Sequence, residues 1–246
     1  MRDARIKEDQ PAYYHVISRV VDRRRVFDDN EKERFRQVMR AVEAFCGVQI
    51  VTHAALDNHF HLLLHVPARE AVSDGLFISR YRCLYERQPT ECMATNLAEL
   101  RKAGQHEAAE AIKAQYTYRM YDVSEFVKTL KQRVTMSYNR RHQRKGTLWE
   151  ERFKSVLVGD SRGALCAVAA YIDLNAVRAG IVSDPKEYRF CGYGEALGGS
   201  EQAKAGLARV MCTLNQTPTW NAVSKQYRKL LYTRGEASGV NKSGQP

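Results

Sequence analysis

Two histidines, His59 and His61, stand two residues apart in the stretch Leu56-Asp57-Asn58-His59-Phe60-His61-Leu62-Leu63-Leu64-His65-Val66. The run reads as a β-strand. Side chains alternate across a strand, so both imidazoles share one face while Phe60, Leu62 and Leu64 take the other. Cα atoms roughly 7 Å apart let two imidazoles close on one metal ion. The apolar residues behind them would hold the pair rigid. A half-buried strand with hydrogen-bonded, idle histidines is the plain alternative. Further along, Tyr171 and Asn175 are four residues apart, so they lie one above the other on a helix, and Arg178 continues that face. Taken alone, a helical tyrosine is more often a packing residue than a nucleophile. His65 reads as a bystander on the histidine face, and His15 and His53 as packed strand residues.

The elements that must position these residues can be followed in order. Pro11 to Val21 is aromatic and β-branched and reads as a first strand. A basic loop, Arg23-Arg24-Arg25, follows. Asp29 or Asn30 can cap a helix to about Phe45, whose Phe35, Val38, Met39, Val42 and Phe45 recur at helical spacing and so cover a sheet. Gly47 ends it. Val48 to Ala55 is a second strand, and the short turn at Asp57-Asn58 makes it an antiparallel hairpin with the histidine strand. Residues 68–120 are polar and rich in Ala, Glu, Arg and Lys, which predicts a helical insertion, with one helix over Leu97 to Tyr116. Asp122 caps a helix from Glu125 to about Arg141, with Phe126, Leu130, Val134 and Tyr138 as its buried stripe. Arg152 to Val158 alternates as a strand. Asp160 or Ser161 caps the tyrosine helix, expected to run unbroken to Ala179 and stop at Gly180. Gly198-Gly199-Ser200 reads as a linker, followed by helices over about 201–213 and 219–232, and Gly235 to Pro246 as disordered.

The balance of charge points to a partner. The 246 residues carry 39 Lys+Arg against 28 Asp+Glu, a net charge of +11. Such a field suggests nucleic acid or an anionic membrane. No apolar segment approaches the roughly 20 residues of a membrane span. No apolar run follows Met1 to Arg5, so no secretory leader is expected. Six scattered cysteines without a Cys-x-x-Cys pair read as reduced, buried thiols of a cytosolic protein. Lys128 to Lys154 is the most basic segment: Lys128, Lys131, Arg133, Arg140, Arg141, Arg144, Lys145, Arg152 and Lys154 against Glu150 and Glu151. Any one of these suits a solvated helix face; the cluster suits a phosphate-binding surface.

At this point the sequence resembles a known family. Asp57-Asn58-His59-Phe60-His61-Leu62-Leu63-Leu64 is similar to the HUH motif of single-tyrosine transposases, where U is hydrophobic. Asn139-Arg140-Arg141-His142, Gly146-Thr147-Leu148-Trp149-Glu150, Arg152-Phe153-Lys154-Ser155 and Tyr171-Ile172-Asp173-Leu174-Asn175-Ala176-Val177-Arg178-Ala179-Gly180 resemble further blocks of its branch acting on repetitive extragenic palindromes, the REP-associated tyrosine transposases. The blocks fall in family order over about residues 11 to 183. Asp57 and Ala176 stand where the family commonly has proline, and the insertion is unusual; neither substitution removes a reacting atom.

The resemblance implies an α+β fold, an antiparallel sheet flanked by helices. It divides the chain into a catalytic domain, 1–185, and a helical C-terminal appendage, 186–246. It implies Tyr171 as nucleophile and a divalent ion, Mg²⁺ or Mn²⁺, on His59, His61 and Asn175. It further implies single-stranded or hairpin DNA as partner, met by Arg133, Arg140, Arg141, Arg144, Lys145, Arg152, Lys154 and Arg178. A cytoplasmic monomer or homodimer is expected. A phenol titrates near pH 10, so only about one in 10³ is ionised at neutral pH, and a metal-polarised phosphate would offset part of that deficit. The mixed imidazole and oxygen set suits Mn²⁺ or Mg²⁺ and lacks the thiolates of structural zinc. A histidine-triad nucleotidyl hydrolase would need a histidine where Leu63 stands. A domesticated hairpin-binding protein that does not cut is the second class left open.

Overall fold

The structure is a computed structural model that describes residues 11–211 and 219–237. Four antiparallel strands form its centre: β1 (Ala12–Arg19), β2 (Gln49–Ala55), β3 (His59–Val66) and β4 (Lys154–Val158), in the order β2-β3-β1-β4. Helix α1 (Asp29–Cys46) joins β1 to β2. The polar stretch after β3 holds α2 (Asp74–Tyr81), α3 (Arg87–Lys102) and α4 (His106–Thr117), and α5 (Val123–Arg141) leads to β4. The remaining helices are α6 (Arg162–Asp173), α7 (Asn175–Arg178), α8 (Gly192–Leu197), α9 (Glu201–Met211) and α10 (Trp220–Ala237).

Burial sorts these elements into three layers. Phe60, Leu62 and Leu64 are buried and face α1, where Phe35 packs on Phe60 at 5.0 Å between ring centroids. Helix α5 lies against α1, and Trp149 closes the same layer, its indole donating to Thr135 at 2.9 Å. On the other face, α6 and α9 lie over β2 and β3. Gly206 of α9 sits so close to β2 that an added Cβ would stand 2.4 Å from the Val51 carbonyl oxygen. The β1–β4 half of that face is barer: Val156, on the exposed edge strand, keeps 61% of its surface in water. Cross-strand pairing puts Lys154, Ile17 and His61 in one row and Val156, His15 and Leu63 in the next. Directly paired residues share a face, so this half-open surface is the histidine surface.

Several boundaries differ from those read in the sequence, each for a local reason. Asp28, not Asp29 or Asn30, caps α1, accepting from the Glu31 amide at 2.8 Å. The helix expected over Leu97 to Tyr116 is two, broken at Gly104, whose φ of +73° no helix allows. Ser161 caps the tyrosine helix. That helix breaks after Asp173, and Asn175 opens the short α7. Gly198 to Ser200 is a tight turn that packs α9 against α8. Gly235 to Ala237, expected as disordered, end α10; residues 238–246 and 212–218 lie outside the described residues. Five described cysteines are free thiols, and of these Cys83 and Cys92 are not buried. No helix among the described residues is long and apolar enough to cross a membrane.

Candidate active site

The histidine strand and the tyrosine helix meet. His59 and His61 lie side by side on β3, ring centroids 5.1 Å apart, and the Tyr171 ring of α6 stands edge-on to His61 at 5.7 Å. Tyr171 is 42% exposed, so its hydroxyl is reachable, unlike that of a core tyrosine. Asn175, half-buried, lies near enough to the His59 side chain to favour its protonated form. The two histidines, the tyrosine and the asparagine therefore converge on one spot, although they come from elements more than 100 residues apart.

Two features hold α6 at this position. The first is its break. Asp173 is fully buried and accepts from Thr52 Oγ1 at 2.9 Å, from the Tyr193 amide at 3.0 Å, and from the Tyr227 hydroxyl. Burial lifts its carboxyl to about 6 against the pull of those hydrogen bonds. The carboxylate ties the end of α6 to β2, α8 and α10 at once, and Asn175 starts a new helical turn beyond it. The second feature is Arg178, which donates to the Tyr171 carbonyl at 3.2 Å and stacks its guanidinium over the Tyr171 ring at 5.0 Å.

The surroundings favour the neutral form of both imidazoles. Burial drives His61 down to about 3, helped by the neighbouring His59, His15 and Arg19. Burial also lowers His59, with Arg19 adding to the effect and the Asn175 side chain opposing it. A neutral imidazole is the form that can ligate. Among the described residues no three His, Cys, Asp or Glu side chains converge to hold a metal ion. The third protein ligand would be the amide oxygen of Asn175, and two imidazoles with one amide fit a divalent ion that keeps open positions for substrate oxygens.

His15 and Arg19 are two site residues that the sequence reading missed. His15, read as packing, lies half-buried on the site face: its Nε2 is 3.1 Å from His61 Nδ1, and its ring is 5.9 Å from that of Tyr171. Arg19 pairs across the sheet with His59 and is exposed. The signal for both was the alternation of β1, which becomes usable only when the register with β3 is known. His53, by contrast, is buried on the α1 face, and His65 packs against Tyr13 at 4.9 Å.

The basic residues divide. Lys154 is exposed in the same cross-strand row as His61. Arg152 and Lys145 are exposed in the segment leading to β4. Arg144 braces that segment, donating to the Thr147 carbonyl at 2.9 Å. Arg141 is committed to the buried Glu31 at 2.5 Å. Arg133 and Arg140 lie instead on the α1–α5 side of the sheet, in a cleft of about 850 Å³ that also presents Arg34, Arg119 and Tyr85. Arg133 stacks on Tyr85 at 5.3 Å, and no acidic residue lines the cleft.

Comparison with known proteins bears on the family and the fold. Residues 10–85 match the family of IS200-like transposases. A solved REP-associated tyrosine transposase, bound to a REP hairpin, shares the fold with a TM-score of 0.52 and 13% identity, over 81% of this chain and 87% of that one. No curated protein matches the sequence. The resemblance read from the motifs holds, as does the antiparallel α+β fold.

Proposed function

From a chain whose β1–β3 region matches the IS200-like transposases, we propose a single-stranded DNA nickase and strand transferase that works through a 5′-phosphotyrosine on Tyr171. The observation that carries this reading is the meeting of His59, His61 and Asn175 beside an exposed Tyr171. Tyr171 Oη attacks a phosphodiester phosphorus, the phosphorus–O3′ bond breaks, and the phenol proton ends on the departing 3′ oxygen. The product is a 5′-phosphotyrosine with a free 3′-hydroxyl. Attack by another 3′-hydroxyl reverses the step and joins a new strand, because the covalent link conserves the bond energy.

Each residue has a task. Arg178 fixes the Tyr171 ring and leaves the hydroxyl free. Arg19 and Lys154, on the same face, meet phosphates on either side of the scissile one, charge-assisted contacts suited to a polyanion. His59, His61 and Asn175 would hold Mg²⁺ or Mn²⁺, which when bound supplies Lewis-acid polarisation of the phosphate oxygens. The open β1–β4 half of the face gives a single strand room to lie beside Tyr171, whereas α6 and α9 close the other half.

Hairpin or palindromic DNA, the ligand of the structurally similar transposase, is the proposed partner. In this proposal residues 1–185 form the catalytic unit and 186–246 a C-terminal appendage. The appendage acts on the catalytic unit directly, since Tyr227 of α10 bonds Asp173 two residues from Tyr171. Incubation with end-labelled hairpin oligonucleotides carrying single-stranded flanks tests the activity. A labelled protein adduct that survives denaturation is expected, and its absence with every metal and flank tried would contradict the reading.

A further inference from the structure

A histidine ligates through the ring nitrogen that carries no proton, so the hydrogen bond made by the other nitrogen decides whether it can ligate at all. His59 Nδ1 lies 2.7 Å from Asn58 Oδ1. The Asn58 amide cannot be turned round without loss, because its Nδ2 donates to the Arg23 carbonyl at 3.0 Å. That carbonyl belongs to a strained turn in which Asp22 and Arg23 both take positive φ, 56° and 54°. An amide oxygen only accepts, so this contact calls for a proton on His59 Nδ1. His61 Nδ1 faces another ring nitrogen, His15 Nε2 at 3.1 Å, so one of the two donates and the other accepts.

We propose that Asn58 and His15 are positioning residues that hold His59 and His61 as Nδ1–H tautomers, leaving both Nε2 lone pairs free for one divalent ion. This rests on the metal reading given above for His59, His61 and Asn175. For His59 the order runs from the Arg23 carbonyl through the Asn58 amide to the ring. For His61 the ring donates to His15 Nε2, so His15 carries its own proton on Nδ1. Asn58 contacts His59 and the Arg23 carbonyl, and His15 contacts His61 and the edge of the Tyr171 ring. Their effect is to select one of two neutral forms of each imidazole, and the wrong form would put a proton where the metal must bind.

Long-range ¹⁵N–¹H correlation spectra of the metal-free protein at neutral pH read the tautomers directly. Wild type is expected to show Nδ1–H signals for both His59 and His61. Asn58→Ala should shift His59 toward Nε2–H and leave His61 unchanged, while Asn58→Asp, which keeps an acceptor oxygen, should preserve Nδ1–H. His15→Phe should alter His61 alone, and His15→Gln, which can still accept, should restore it. Mn²⁺ titration followed by electron paramagnetic resonance should show affinity reduced about 10- to 100-fold in Asn58→Ala and His15→Phe, the usual effect of removing a partner behind a ligand. Nε2–H signals in wild type, or a His59 signal indifferent to Asn58→Ala, would overturn the proposal. A wild-type protein with the expected tautomers but no Mn²⁺ binding would instead refute the metal reading, leaving the hydrogen-bond assignment in place.

Discussion

The two faces of the sheet hold their cations in different company. On the histidine face, Arg19, Lys154 and Arg178 stand around neutral imidazoles and an exposed tyrosine, where a phosphate can reach cation and nucleophile together. On the α1–α5 face, Arg34, Arg119, Arg133 and Arg140 line a cleft that holds no imidazole and no acid, with Tyr85 as its aromatic wall. On the proposed function, the first surface does chemistry on a phosphodiester and the second only binds one. A count of basic residues along the chain merges the two. Arg133, Arg140 and Lys154 belong to one sequence cluster yet are separated by the sheet.

The comparison can be broken most sharply at the tyrosine. Tyr171→Phe removes one hydroxyl from a partly exposed ring, so folding should be nearly unchanged, covalent DNA adducts should vanish, and DNA affinity should persist. Loss of affinity together with adducts would mean that the two surfaces are not independent. His59→Ala or His61→Ala should also abolish cleavage and spare binding. Cleavage that continues undiminished in chelator would remove the metal from the account. Next in size is the cleft. Replacing Arg34, Arg133 and Arg140 together by alanine should flatten the slope of log K against log salt by about 2 to 3 units if all three contact phosphates, at roughly 0.7 to 0.9 per contact. Adduct formation at saturating DNA should be retained. An unchanged slope would place the phosphate contacts on the histidine face alone.

The smaller effects concern Arg141, read in the sequence as a DNA contact and paired here to Glu31, and Tyr227, which bonds Asp173. Arg141→Ala should cost about 1 to 3 kcal/mol of stability, read by denaturant melting, because Glu31 stays buried with one fewer donor. Its effect on the salt slope should be slight, opposite in kind to Arg140→Ala. Tyr227→Phe should cost about 1 to 2 kcal/mol through the lost bond to Asp173. A mutant equal in stability to wild type would show that α10 does not hold the tyrosine helix.

Much of the site was legible in the chain because it depends on local periodicity. The two-residue step from His59 to His61, the four-residue stripe of α5 and the Asn58 turn are properties of short segments. The four-residue step from Tyr171 to Asn175 was legible as well, although it is not carried by one continuous helix. Asp173 made the difference: a buried carboxylate held by Thr52, Tyr193 and Tyr227 is the product of three distant segments, and no periodicity reports it. His15 was missed for the same reason. Its alternation on β1 was plain, but which face met His61 depended on the β1–β3 register. The split of the basic cluster also required the third dimension, since Arg140 and Arg141 are adjacent and one is exposed while the other is paired to Glu31.

The most direct test of the central claim is to trap the protein–DNA adduct on a hairpin oligonucleotide, digest it and identify the modified peptide by mass. Tyr138 is buried and stacks on His142 at 4.1 Å, and Tyr121 is covered by the Arg80 guanidinium at 4.7 Å, so neither is offered to a DNA strand as Tyr171 is. The expected result is a single nucleotide-linked peptide carrying the modification on Tyr171. A nucleotide attached to Tyr138 or Tyr121, with Tyr171 unmodified, would contradict the account.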